Sequence, residues 1–144
     1  MPATLDLHED VLADVASRLD LREPNRLAVE TLAAEVSQYY DVDERKPPFE
    51  AVFDVATGVG KTYILAGAVE LLVAAHGVRD FVIVTPGSTI LTKTRDNFTP
   101  GHPKSLLDSM SFQPVVVTTE NFASPSMRAA KTARRSSSVV TTTG

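Results

Sequence analysis

The residues best suited to chemistry lie in one ten-residue segment, FDVATGVGKT, at positions 53–62. Two glycines, Gly58 and Gly60, stand directly before a lysine and a threonine. Glycine lets backbone N–H groups turn toward an anion and approach it closely, and a helix that starts there adds its free amides and its dipole. The Lys61 ammonium would reach the β- and γ-phosphates of a nucleotide, and the Thr62 hydroxyl would bind Mg²⁺. The segment therefore predicts a phosphate-binding loop.

Predicted strands and helices surround this loop. Residues 51–55 (AVFDV) form a short apolar run of strand-forming residues, and residues 61–76 have the composition of a strong helix. Two further apolar runs, at 81–85 and 115–119, are typical of buried strands, with a helix over 88–98 between them. Strands that are apolar on both faces and separated by helices predict a parallel sheet covered by helices on both sides.

The N-terminal part is predicted to be helical, because apolar side chains recur at helical spacing over residues 10–20 and again over 26–40. We therefore expect three regions in the chain. They are an N-terminal helical segment (1–48), a nucleotide-binding lobe (49–127) and a basic, Ser- and Thr-rich tail (128–144) that lacks a periodic apolar face and is expected to be disordered.

Composition excludes several classes of protein. The chain has 144 residues and no cysteine, which removes disulfides, cysteine nucleophiles and thiolate zinc sites. No apolar run approaches the roughly 18 residues of a membrane span, and acidic residues stand where an export signal would carry Lys or Arg. These features predict a cytoplasmic protein without a membrane partner. The net charge of −4 does not favour nucleic-acid binding by the whole surface, so such binding would need a local site.

Four segments resemble motifs of one protein family, and three of them lie at or after the loop. The loop ATGVGKT (56–62) lacks the glycine of the strict G-x-x-x-x-G-K-[ST] pattern, since that position is Val55, but it resembles motif I of superfamily 2 DEAD/DEAH-box helicases. VTPGSTILTKTRDNF (84–98) resembles motif Ia of the helicase (Res) subunit of type III restriction enzymes. VVVTT (115–119) with the following Glu-Asn-Phe looks like the motif Ib region. The resemblance covers roughly residues 20–125.

The resemblance implies a P-loop NTPase (RecA-like) fold, an α/β three-layer parallel sheet, here as an incomplete first lobe with N-terminal helices. It also implies ATP and Mg²⁺ as ligands, with the Thr62 hydroxyl binding the metal ion. The family reads adenine with the Gln of an L-R-x-x-Q segment, and this chain has LREPN at 21–25. The implied nucleotide-binding residues are Arg22, Asn25, Thr57, Gly58, Val59, Gly60, Lys61 and Thr62. The implied nucleic-acid contacts are Pro86, Thr89, Lys93 and Thr119.

These motifs lead us to expect an N-terminal fragment of an ATP-dependent helicase or translocase. Its partners would be nucleic acid, DNA rather than RNA, and other subunits of a restriction-type complex. Superfamily 2 enzymes also need a D-E-x-[HD] segment, whereas the single Asp-Glu pair here is Asp43-Glu44, ahead of the loop. We therefore expect the chain alone to be inactive.

Two other readings of the sequence stay open. One is a degenerate, non-catalytic nucleotide-binding remnant, which the missing acidic motif would fit. The other is a small P-loop kinase, although the strict glycine pattern and an acceptor-binding lid are both absent.

Overall fold

The computed structural model describes residues 7–46, 48–56, 58–79, 81, 83–84, 88–111 and 140–141. The chain divides into two compact units, Met1–His76 and Gly77–Gly144. The first unit contains the helices α1 (Glu9–Arg18), α2 (Glu23–Ser37) and α3 (Lys61–His76), with a π-helical turn, Gln38–Val42, extending α2. The second contains β1 (Ile83–Val84), α4 (Ser88–Asn97), a 3₁₀ turn (Leu107–Ser109) and β2 (Val140–Thr141).

The helices agree closely with the sequence pattern. The predicted bounds of α3 are confirmed at both ends, and α1 and α4 match within one or two residues. Gly77, the residue after α3, has a φ of 65°, a left-handed conformation that glycine adopts without steric cost and that commonly ends a helix. Among the described helices, none is long and apolar enough to cross a lipid bilayer.

The α2 helix differs from its prediction at both ends. It begins at Glu23 rather than at residue 26, because Pro24 lies in the first turn, where a missing N–H breaks no helical hydrogen bond. Beyond Ser37 the chain keeps turning, and the Asp43 N–H donates to the Gln38 carbonyl at 2.8 Å. The expected loop therefore starts at Asp43 rather than two residues earlier.

The core of the first unit forms where α2 and α3 meet. Gly67 of α3 makes this possible, because a Cβ atom there would stand 2.8 Å from Cγ2 of Val29. The two backbones can approach only while position 67 lacks a side chain. The buried cluster consists of Leu12, Val29, Leu32, Ala33, Val36 and Leu71.

An ion pair with a buried carboxylate joins α1 to α3. The Glu70 side chain has no solvent exposure, and its Oε2 accepts a hydrogen bond from Nη1 of Arg18 at 2.8 Å. Arg18 also pairs with Asp14 at 2.8 Å, and the pKa of the guanidinium is raised chiefly by the hydrogen bond to Asp14, with Glu70 adding to the effect. The pair explains how a carboxylate can lie inside an otherwise apolar helix interface.

The expected three-layer parallel sheet, and with it the RecA-like α/β fold class, is wrong. Residues 51–55 form no strand in the described structure, and Val52 is 93% exposed there. A strand requires a neighbouring segment to take up its backbone hydrogen bonds, and none of the described segments pairs with 51–55. Apolar composition alone was therefore insufficient to make this segment a strand.

The described sheet has only two strands. β1 pairs with β2 in parallel, with Ile83 opposite Val140 and Val84 opposite Thr141. The strand predicted over 115–119 lies outside the described residues, as does most of the tail 128–144. The strand β2 within that tail has no counterpart in the sequence-based prediction.

Candidate functional site

The loop that precedes α3 takes its shape from two glycines. Gly58 has a φ of 88° and Gly60 a φ of 84°, both in the left-handed region that residues with a Cβ atom rarely adopt. Gly58 is exposed, and a Cβ atom there would meet nothing within 4 Å. The loop thus turns sharply beside open space and runs directly into the first residue of α3.

The Gly60 carbonyl is the point at which the loop joins the helix. It accepts hydrogen bonds from the backbone N–H groups of Tyr63 at 2.9 Å and Ile64 at 3.3 Å, the pattern of a helix that begins after residue 60. A third donor comes from another helix, because Nδ2 of Asn25 lies 3.0 Å from the same oxygen. The loop is therefore anchored to α2 as well as to α3.

Asn25 is an unusual member of this arrangement. Its side chain is only 2% exposed, and its Oδ1 has no hydrogen-bond partner in the described part of the chain. The orientation of the amide follows from chemistry, since the Gly60 carbonyl can only accept and must therefore face the NH₂ group. The resemblance assigned this residue to adenine, and the structure places it against the backbone of the loop.

Arg22, which the resemblance also assigned to the nucleotide, lies elsewhere. It is exposed and extended (φ −67°, ψ 159°) just before α2. Within the described residues its side chain makes no hydrogen bond or ion pair with the loop. The structure thus brings Asn25, but not Arg22, to the loop.

Lys61 and Thr62 occupy the first two positions of α3. Lys61 is exposed, and no described carboxylate forms an ion pair with its ammonium group, while Thr62 is partly buried. The first turn of a helix carries unpaired N–H groups and partial positive charge, so this end favours an anion. Val59 is half-buried, and Thr57 lies outside the described residues.

Sequence reasoning missed Tyr63. Its ring carbon Cδ2 would lie 3.4 Å from a Cβ atom on Gly60, and the residue is 41% exposed. The ring therefore forms an apolar surface beside the loop. The available signal was an aromatic residue two positions after the lysine.

The described part of the chain holds no group of three or more His, Cys, Asp or Glu residues able to bind a metal ion. Mg²⁺ does not require such a group, because it keeps several waters and is commonly held by substrate phosphates.

The predicted nucleic-acid contacts fall in the second unit. Thr89 and Lys93 are both exposed on α4, and a spacing of four residues puts them on one face of the helix. Pro86 and Thr119 lie outside the described residues.

Comparison with known proteins places the chain in a family. Searches of curated proteins and of solved structures found no match. A family model for the type III restriction enzyme, res subunit, matches residues 18–143. This range includes Asn25, the loop, α3 and α4. The match extends over nearly the whole chain, and the chain belongs to the type III restriction enzyme res subunit family, a helicase-like, ATP-dependent family.

Proposed function

We propose that this protein binds ATP through the loop 56–62. Lys61 would contact the β- and γ-phosphates, and the Thr62 hydroxyl would contact the Mg²⁺ ion that accompanies the nucleotide. The observation that supports this most strongly is the pair of left-handed glycines, Gly58 and Gly60, leading directly into a 16-residue helix whose first residue is an exposed lysine.

Each part of the loop suits a polyphosphate. Glycines let the backbone amides approach phosphate oxygens, and the N-terminus of α3 adds positive potential. Hydrogen bonds from a charged ammonium to phosphate are stronger than those between neutral groups. Lys61 can supply such a bond without first breaking an ion pair to a described carboxylate.

We further propose that ATP binding serves movement on nucleic acid, with DNA the favoured substrate. Thr89 and Lys93 on α4 would contact the phosphate backbone, together with Pro86 and Thr119. Lysine contacts of this kind give affinity that depends on salt and little on sequence. Other subunits of a restriction-type complex are the proposed protein partners.

The ATP-binding proposal is tested by replacing Lys61 with alanine and titrating the protein with ATP and Mg²⁺ in a calorimeter. A charge-assisted hydrogen bond contributes about 1.5–3 kcal/mol, so affinity should fall roughly 10- to 100-fold. The fold should persist, because Lys61 is exposed and makes no described core contact.

Lys104→Ala provides the matched control, since it removes an exposed lysine to which no binding role is assigned and should leave ATP affinity unchanged. Equal ATP affinity in wild type and Lys61→Ala would refute the assignment of the loop.

A further inference from the structure

We infer that Asn25 is a positioning residue, which holds the phosphate loop in its anion-binding shape. Through the loop it affects the binding of the phosphates rather than the binding of the base. This inference rests on the proposed ATP-binding function. Its structural basis is the 3.0 Å hydrogen bond from Asn25 Nδ2 to the Gly60 carbonyl oxygen.

The bond adds a third restraint to the direction of the peptide group between Gly60 and Lys61. In a trans peptide the C=O of one residue and the N–H of the next point in opposite directions. Because the donors from α2 and α3 hold the Gly60 carbonyl on their side, the Lys61 N–H points away from them, toward the start of the helix. That amide is among those a bound phosphate would use.

The donor lies in a well-packed part of the first unit. Asn25 is 2% exposed and lies in the first turn of α2, the helix that supplies most of the buried cluster. A Cβ atom on Gly60 would approach Nδ2 to 3.0 Å, so Gly60 lies close against this amide.

Helix formation alone does not require this third donor. The Gly60 carbonyl already accepts from Tyr63 and Ile64, as the start of any helix would arrange. Asn25 Oδ1 has no hydrogen-bond partner among the described residues, which makes a buried amide costlier here than an apolar side chain of similar size. The Nδ2 donor therefore accounts for the role of this side chain, whereas Oδ1 adds only the cost of burying an unpaired acceptor.

The same burial argues against a direct role in reading the base. An asparagine that recognises adenine uses its carbonyl oxygen together with its NH₂ group. Here Oδ1 is enclosed and one N–H is engaged with Gly60, so a base could reach the amide only if the loop moved away.

The experiment compares two ligands on the full chain, ATP and inorganic tripolyphosphate, each with Mg²⁺. Asn25→Leu removes the donor and the unpartnered acceptor and keeps the branched outline of the side chain, although its two methyl groups are bulkier than the amide. We expect both ligands to bind about 5- to 10-fold more weakly, with their affinity ratio unchanged, which corresponds to one hydrogen bond of ordinary strength. The thermal midpoint should change little, because the cost of fitting two methyl groups is offset by removal of a buried unpaired acceptor.

Two further variants keep the result interpretable. Val36→Ala lies on the same helix in the buried cluster, so it should lower stability without changing the affinity of the folded protein for either ligand. Asn25→Ala removes the amide with a smaller side chain and serves if the leucine variant does not fold.

A loss confined to ATP would overturn the inference in favour of base reading, and a folded variant that binds both ligands as tightly as wild type would overturn it in favour of a purely structural amide. If wild type binds neither ligand, the proposed function itself is wrong and the inference with it. Titration of the wild-type protein therefore distinguishes failure of the proposed function from failure of the inference about Asn25.

Discussion

The two glycines of the loop share a backbone conformation but differ in what surrounds them. At Gly58 the space beside the Cα atom is open for 4 Å, whereas at Gly60 the Asn25 amide stands 3.0 Å from the place of a Cβ atom. Gly58 is therefore required for its backbone angles alone. Gly60 is required both for its backbone angles and for close contact with α2.

This difference can be measured with two alanine variants. Gly58→Ala should cost about 1–2 kcal/mol of unfolding free energy, the penalty of a left-handed alanine. Gly60→Ala should cost about 1 kcal/mol more, because Asn25 must leave its preferred rotamer. Urea denaturation of both variants gives the comparison, and ATP affinity should fall further in Gly60→Ala. Equal destabilisation by the two substitutions would show that Asn25 can change rotamer at no cost in free energy.

Between elements, the close approach of α2 and α3 depends on one missing side chain. Glycine normally weakens a helix by about 1 kcal/mol relative to alanine. At position 67 glycine is nevertheless favourable, because a Cβ atom there would overlap Cγ2 of Val29 at 2.8 Å. Local helix propensity and packing therefore oppose each other here, and packing is the stronger of the two.

Gly67→Ala should consequently destabilise the protein by about 1 kcal/mol, since an overpacking cost of about 1–3 kcal/mol exceeds the gain in helix propensity. In a Val29→Ala background the overlap disappears, and the same substitution should stabilise by about 1 kcal/mol. The two backgrounds form a double-mutant cycle measured by urea denaturation. Destabilisation of equal size in both would show that Val29 is not the opposing group.

At the scale of the whole molecule, the candidate site lies entirely in the first of the two units. The loop, Asn25 and α3 all fall within Met1–His76, while the proposed nucleic-acid residues Thr89 and Lys93 fall in the second unit. The proposed binding of ATP would therefore use residues of the first unit. Coupling to nucleic acid would involve both.

We predict that the 144-residue chain binds ATP but shows no DNA-stimulated hydrolysis. Turnover needs a carboxylate to orient the attacking water and positive charge at the γ-phosphate. The one Asp-Glu pair, Asp43-Glu44, is exposed and precedes the loop. Phosphate release should be measured with and without duplex DNA.

Lys61→Ala is the control for contaminating ATPases in this assay. Turnover that rises with DNA and disappears in Lys61→Ala would contradict the prediction. Glu120, at the end of the predicted third strand, would then be tested by Glu120→Gln.

The four helices and the glycine loop were predictable from the sequence because their determinants are local. Each hydrogen bond of a helix joins residues four positions apart. The start and end of a helix are determined by neighbouring residues such as Gly60 and Gly77. The family was also accessible from short motifs, as the match to residues 18–143 shows.

Only the tertiary structure decided which remote segments meet. Residues 51–55 have the composition of a strand but form none in the described structure, because strand hydrogen bonds must come from a distant segment. The hydrogen bond from Asn25 to Gly60 joins residues 35 positions apart, and the Arg18–Glu70 pair joins residues 52 apart. No local pattern encodes such contacts, since they depend on how the finished helices pack.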